Sequence, residues 1–315
     1  MPNRLPPLTA LRAFDAAARH MSFQEAAAEL NVTPAALSFQ IKSLEQHLGT
    51  PVFHRLNRAV ELTEAGRALA PGVKDGFETL TTAWRAARRL LDNRTLTVTA
   101  GPGFTAKWLA PRLYDFARAY PDIDLRFVAS LRMMDFTRDE VDVAIRFGYG
   151  DDVGLYSLPL RREWVTPVMI PELARQFPTP ESLREAPILF DESIDFLKPA
   201  CDWPTWFRAV GMDFEPDHGP RFSQADHAVD AAMAGAGVVL GRRAMVVRAL
   251  HEGTLVAPYK IALQSQAQFR FLCQKGAEDR PQIKAFRDWV LDELEKTAYV
   301  SEALTVIPVE DIPSA

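Results

Sequence analysis

The chain has 315 residues, with 36 Lys+Arg against 41 Asp+Glu, six His and two Cys, at 48% hydrophobic and 24% charged. That length predicts about two globular domains, and the composition excludes a wholly disordered protein. No run of about 18 apolar residues marks a membrane span, and a formal charge of −5 argues at first sight against a nucleic-acid partner.

The first 95 residues are alanine-rich and helical in pattern. Leu8, Leu11, Phe14 and Ala18 recur at three- and four-residue steps and predict an amphipathic helix over 8–19. Ser22, with Glu25 at the capping-box position, opens a second helix over 23–30. Thr33 caps a third helix with Pro34 in its first position, and Gly49 ends it. Leu37, Ile41, Leu44 and Leu48 line one face of that helix. Two short helices joined by a tight turn describe a helix-turn-helix, although any capped helical hairpin shares the spacing.

The other face of the third helix carries Ala35, Ser38, Phe39 and Lys42, with Gln40 on its flank. Short polar side chains near a helix start reach base edges. Ser22, Thr33 and Pro34 join this DNA-facing set, because free N–H groups at helix starts suit phosphates. Residues 50–62 follow, with His54, Arg55, Asn57 and Arg58 between apolar ends. They predict a small β-wing whose cations meet the sugar–phosphate backbone.

Thr63 then caps a helix running to about Leu91, roughly 40 Å long at 1.5 Å per residue. Val73, Phe77, Leu80, Trp84, Ala87 and Leu91 alternate spacings of four and three, as in a coiled-coil seam. Pro71–Gly72 is predicted to kink or weaken the first part of this helix. The seam joins two copies, or the apolar stripe packs on its own domain.

From Leu96 onward short β-branched runs alternate with helical stretches, the pattern of an α/β domain. Strands are predicted over 96–100, 125–130, 141–145, 164–170 and 267–273. Residues 222–226 open a helix that contains AAMAGAG, with Ser223 as its cap, and another helix spans 282–296. Two lobes crossed twice by the chain enclose a cleft, the usual place for a small ligand. The Gly-Pro-Gly turn before Thr105 is an anion-binding turn by its chemistry but not a dinucleotide fingerprint. Arg146, at a strand end, either grips a carboxylate ligand or forms an ion pair with Asp142 or Asp151.

Signals for catalysis are poor. Ser223, Asp226 and His227 crowd one helical turn without forming a triad, and no G-x-S-x-G or P-loop occurs. No catalytic residue, metal site or cofactor is therefore assigned. Lys198 would lower the pKa of Cys201, but a redox pair would need the distant Cys273. The cysteine spacing and the absence of an apolar leader predict a reducing, cytoplasmic setting.

The stretch LPPLTALRAFDAAARHMSFQEAAAELNVTPAALSFQIKSLEQHLGTPVFHRLNRAVELTEAG resembles the N-terminal signature of LysR-type transcriptional regulators, and most of all their glycine-cleavage-activator-like branch. The phrases WLAPRL, YPDIDL, DVAIRFGYG and AAMAGAGVVLGRR extend the resemblance across nearly the whole chain. It implies an all-α winged helix-turn-helix over 1–62, a linker helix over 63–92 and a two-lobed, periplasmic-binding-protein-like α/β effector domain over 93–300. Lobe 1 would hold 93–163 and 268–300, and lobe 2 would hold 164–267. The tail 301–315, with Pro308 and Pro313, is either loose or packed.

The resemblance also implies a homotetramer built of two dimers, a bent promoter site, a contact with RNA polymerase, and a small effector, by its cleft a carboxylate or amino acid. It places Phe104, Thr105, Ser130, Leu131, Phe222 and Ser223 near the effector cleft. Phe39 departs from the family, standing where relatives often carry Arg, so it would touch a thymine methyl in place of a phosphate or guanine. A solute-binding module with a degenerate head, and an enzyme with a DNA-binding head, are the rival readings. The missing leader and the missing catalytic constellation count against them.

Charge by segment answers the opening objection. Residues 1–93 hold 11 Lys+Arg and nine Asp+Glu, a net of +2, and the remaining 25 and 32 leave −7 on the rest. A mildly basic head sits on an acidic body, which predicts weak, salt-sensitive DNA binding that becomes useful through doubling.

Overall fold

The structure, a computed structural model, describes residues 5–56, 59–89, 94–132, 134–136 and 139–313. The chain divides into two compact units, Met1–Leu91 and Asp92–Ala315.

In the first unit, helices α1 (Leu8–His20), α2 (Phe23–Glu29) and α3 (Pro34–Leu48) precede strands β1 (Phe53–Leu56) and β2 (Ala59–Leu62) and helix α4 (Glu64–Arg89). The caps operate as the residue types dictate: Ser22 Oγ accepts from Glu25 N–H at 3.3 Å and Thr33 Oγ1 from Ala36 N–H at 3.2 Å. Gly49 closes α3 in the left-handed conformation. Alanines let the helices approach closely, so Ala10, Ala13, Ala16, Ala17, Ala26 and Ala27 are buried around Phe14, Leu37, Ile41 and Leu44. Leu8 and Leu48, predicted on buried faces, are exposed at 60% and 49%. Each sits at the end of its helix, beyond the reach of this small core.

β1 and β2 pair antiparallel, Phe53 opposite Leu62. Phe53 packs against Phe14 and edge-on to Phe23, and Val60 N–H donates to the Met21 carbonyl, so the hairpin is pinned to the α1–α2 turn. Thr63 Oγ1 accepts from Gly66 N–H at 3.1 Å and starts α4. A Cβ on Gly66 would lie 2.2 Å from the Val52 carbonyl oxygen, so only glycine lets this first turn pass so close. α4 continues as one helix of 26 residues with Pro71 inside it. Pro71 lies two turns inside the helix, so its missing N–H leaves the Arg67 carbonyl without the usual intrahelical bond.

The second unit is built on one nine-stranded sheet. In chain order it runs β3 (Thr95–Ala100), α5 (Pro102–Phe104), α6 (Leu113–Ala119), β4 (Asp124–Ala129), β5 (Val143–Gly148) and β6 (Leu155–Val168). There follow α7 (Pro171–Gln176), β7 (Ile188–Asp191), α8 (Trp203–Ala209), β8 (Arg221–Phe222), α9 (Ala225–Met233), β9 (Val238–Arg242) and α10 (Arg243–Glu252). β10 (Ile261–Gln274), α11 (Pro281–Lys296) and β11 (Thr305–Pro308) complete it. The strand order is β4-β3-β5-β10-β6-β9-β7-β8, with β11 added to β10.

The parallel triplet β4-β3-β5 forms one lobe and the parallel triplet β9-β7-β8 the other. The fourteen-residue strands β6 and β10 run antiparallel through both. The two crossings were predicted as short separate strands; they are the second half of β6 and of β10. The register of β10 against β6 shifts between Gln264 and Gln268 and again before Arg270, which bends the sheet where the lobes meet.

The C-terminal tail is packed. Thr305–Pro308 pairs parallel with Ile261–Gln264 of β10, and Val309 is buried beside the Trp203–Trp206–Phe207 cluster. In the first lobe Trp108, Phe116, Phe286 and Trp289 form an aromatic core. A buried ion pair joins β6 to α10: Glu163 accepts from Ala244 N–H at 2.8 Å at the start of α10 and faces Arg243 at 4.0 Å. Burial raises the pKa of Glu163, against the pull of Arg243 and the amide.

Candidate nucleic-acid interface and effector cleft

On α3, every 3.6-residue turn buries Leu37, Ile41 and Leu44, which leaves Thr33, Pro34, Ala35, Phe39 and Lys42 exposed and Ser38 and Gln40 half-buried. Phe39 is exposed at 69%. An aromatic ring held in water at the middle of a polar helix face has no role in this unit's own core. Ser22 is half-buried at the start of α2, its hydroxyl occupied by the Glu25 amide. His54 and Arg55 are both exposed, and Arg55, on the same strand face as Phe53, holds its guanidinium over the Phe23 ring at 5.6 Å. Asn57 and Arg58 lie outside the described residues.

Behind this face a charge cluster locks α1 to α2. Arg19 forms a bidentate pair with Glu29 at 2.9 and 2.6 Å and also binds Asp15. His20 Nε2 meets the same Glu29 carboxylate at 2.6 Å. The Arg19 hydrogen bonds, then His20, hold the Glu29 carboxyl at a pKa of about 2.

In the second unit, the carboxyl ends of both parallel triplets lead into the region between the lobes, the place where open α/β sheets hold ligands. Arg146, on β5, donates to the Ile145 carbonyl, to Thr99 Oγ1 at 3.0 Å and to the Arg132 carbonyl at 3.3 Å. The ion pair predicted with Asp142 or Asp151 does not form. Asp142 instead binds Arg280 at 3.2 Å and the Thr97 amide at 2.9 Å. Among the described residues no carboxylate stands within ion-pair distance of Arg146, and burial lowers its pKa.

The cluster extends outward from Arg146. Ser130 Oγ accepts from Arg132 N–H at 3.1 Å, and Leu131 is exposed with its Cδ2 3.5 Å from where a Gly101 Cβ would stand. Two residues on, a Cβ on Gly103 would meet Asp226 of α9 at 3.4 Å. Thr105 follows half-buried, its Oγ1 enclosed and without a partner among the described residues. Phe104 does not line the cleft with its ring, because it is buried, stacked on Trp108 and packed against Phe269. Phe222 ends β8, half-buried beside Asp191, and Ser223 is exposed. Ser223 is not the cap predicted for α9; Gln224 holds that position without a side-chain bond.

Sequence reasoning passed over Arg242. It ends β9 beside Asp191 (3.7 Å), donates to Ser193 at 3.1 Å and lies over Phe147 at 4.8 Å. Its signal was a cation ending the apolar run 238–241, obscured by the adjacent Arg243. Cys201 and Cys273 are both buried thiols, and burial pushes each pKa up to about 12. The activation expected from Lys198 is absent: desolvation, then the Asp202 carboxylate, push the Cys201 thiol up, and only a hydrogen bond with Ser265 pulls it down. Among the described residues no group of three His, Cys, Asp or Glu is placed to hold a metal, and no helix is long and apolar enough to cross a membrane.

A helix-turn-helix unit beside a two-lobed α/β unit defines a class, that of DNA-binding regulators that carry their own sensor. Residues 8–67 match the bacterial regulatory helix-turn-helix protein model of the lysR family, and residues 91–295 match the LysR substrate binding domain. The chain belongs to the LysR family of bacterial transcriptional regulators. It is 41% identical over 295 residues to the glycine cleavage system transcriptional activator of Escherichia coli (strain K12), covering 92% of this chain and 95% of that protein. To the HTH-type transcriptional activator AmpR of Pseudomonas aeruginosa it is 36% identical over 291 residues, 91% of this chain and 95% of that one. The effector domain of the latter regulator, solved by X-ray crystallography, aligns with a TM-score of 0.53 at 30% identity, covering 65% of this chain and 98% of the domain. CrgA of Neisseria meningitidis aligns at 23% identity and a TM-score of 0.50 over 91% of this chain and 98% of its own, a likeness of fold.

Proposed function

We propose that the chain is a cytoplasmic regulator that reads promoter DNA with the exposed face of α3 and uses β1–β2 as its wing. Ala35, Ser38, Phe39, Gln40 and Lys42 face the bases and nearby phosphates. Ser22, Thr33 and Pro34 present helix starts, and Arg55, Asn57 and Arg58 hold the backbone. The observation that carries this reading is the α3 face itself, with Lys42 and a bare Phe39 standing off a fully packed inner side. The chain acts by binding and not by turnover, as a dimer and then a tetramer whose arrangement on bent DNA alters contact with RNA polymerase.

A gel-shift series on its own upstream region tests this. Lys42→Ala and Arg55→Ala are expected to weaken binding about equally for matched and mismatched sites. Each is expected to reduce the slope of log affinity against log salt by about two in a dimer, one phosphate contact per copy. A wild-type protein that binds no neighbouring promoter at low salt overturns the reading.

The second unit is the sensor, with an anionic effector, a carboxylate or amino acid, between the lobes. Arg146 supports this choice of ligand, as a half-buried guanidinium whose partners are all neutral oxygens. Thr105, Ser130, Leu131, Phe222 and Ser223 complete the site, Phe104 contributing backbone alone. Binding shifts the balance between lobe arrangements and so between dimer arrangements. In a thermal-shift screen, carboxylates are expected to raise the wild-type melting temperature by several degrees at about 100 times Kd. Arg146→Gln is expected to abolish that rise, and stabilisation confined to uncharged or cationic compounds overturns the ligand class.

A further inference from the structure

We propose that Tyr149 is the pin of a latch joining the two lobes at the strand-end side of the second unit, and that its release sets how far they part. Tyr149 belongs to the first lobe, on the loop after β5. Lys198 belongs to the second, between β7 and α8. The Tyr149 hydroxyl accepts from Lys198 N–H at 2.6 Å and donates to the Lys198 carbonyl at 3.2 Å. One hydroxyl thus satisfies both backbone groups of a single residue across the gap.

The surroundings are built for this reach. Gly148 and Gly150 flank Tyr149 at φ of +153° and +124°, conformations that L side chains rarely adopt. The base of the loop is fixed, with Asp152 bound to Arg270 at 3.0 Å and to Ser157 Oγ at 2.6 Å. On the other lobe Phe196 sits edge-on to both Tyr149 and Phe147, at 6.4 and 6.2 Å, and Arg242 covers Phe147. The ring contacts guide Tyr149, and the hydroxyl makes the connection.

The contrast with the shared core decides which contact opens. Phe104, Val229 and Met245 belong to one continuous buried core, which reaches Phe147 through Phe269, so parting there would expose apolar surface. At the latch both side chains that meet, Tyr149 and Phe196, are exposed, and the bonds holding them exchange readily with water. The core side serves as the pivot and Tyr149 as the fastening. This geometry does not depend on what occupies the cleft, so the proposal stands apart from the effector reading.

Tyr149→Phe removes the hydroxyl and keeps the ring. In the full-length protein, amide hydrogen exchange over residues 196–200 is expected to accelerate by about 5- to 100-fold, the loss of two hydrogen bonds. Spin labels on Val153→Cys and Asp217→Cys, both exposed and one in each lobe, are expected to show a broader and longer distance distribution in the same variant. Lys198→Ala keeps both backbone groups and is expected to leave both readouts unchanged. Unaltered exchange in Tyr149→Phe overturns the latch, and so does faster exchange with an unaltered distance distribution. A Lys198→Ala effect as large as that of Tyr149→Phe also overturns it.

Discussion

Trp84→Asp, combined with Leu80→Asp, is expected to convert the regulator to a monomer and to weaken promoter binding by about 100-fold or more. The stripe Val73, Phe77, Leu80, Trp84 and Ala87 changes character along α4, and Leu91, its last predicted member, lies outside the described residues. Val73 is buried in the core of its own unit and Phe77 is half-buried, whereas Leu80 and Trp84 are exposed at 54% and 68%. The first part of the stripe therefore packs at home, and the second part has nothing of this unit to cover it. It continues into an apolar groove of about 900 Å³ lined by Leu5, Leu8, Leu48, Leu69 and Phe77. Leu8 and Leu48, out of place in the core, fall into place as walls of this groove.

A second copy is the natural occupant, because heptad-like spacing of four and three matches a second helix of the same kind. Carboxylates at both positions would set four charges against each other along the seam of a dimer, with no cation among the stripe residues to pair with them. Each copy's α3 would then bind a half-site alone, forfeiting the gain of linked sites. Sedimentation analysis of the double variant checks the oligomer, and the gel shift checks the consequence. A variant that remains dimeric and binds normally would place the interface elsewhere.

Arg243→Met is expected to destabilise the second unit by about 3–5 kcal/mol. Arg243 and Glu163 are both almost fully buried, Arg243 donating also to Thr297 Oγ1 at 3.2 Å. Removing the cation leaves a buried carboxylate with one amide and Arg242 for company. A carboxylate whose pKa is raised by the fold contributes stability below its ordinary 4.5, which is lost as pH rises through the folded value. The variant's deficit is therefore expected to grow from mildly acidic to neutral pH. Adding Glu163→Gln is expected to restore part of the stability, since a neutral amide costs far less to bury than a charge. Urea unfolding of the single and double variants at two pH values measures all of this.

The head was legible in the sequence almost residue by residue. Ser22, Thr33, Pro34 and Gly49 act within one turn of themselves, so caps and helix starts follow from local chemistry. Leu37, Ile41 and Leu44 are buried as their spacing requires. The misplaced residues are those at helix ends, where burial depends on how far the core extends and not on periodicity. The sensor was legible only in outline. Two fourteen-residue strands read as fragments, because alternation is interrupted where β6 and β10 pass from one lobe to the other. Phe104 was placed near the cleft by the family resemblance alone; only packing against Trp108 and Phe269 shows where its ring goes.

The charge balance on which the sequence opens shows where this division falls. By itself the sequence determined a mildly basic helical head, an acidic α/β body, and the membership of both in one family, since these rest on composition, caps and contiguous motifs. Tertiary structure decided which charges face which. Asp142 was taken by Arg280, which left Arg146 with neutral partners only, and Glu163 was enclosed with Arg243. It also made the tail a strand of the sheet and brought Tyr149 to a backbone 49 residues away. Pairings over such separations arise from the register of strands that the chain reaches only after folding, and no local pattern encodes them.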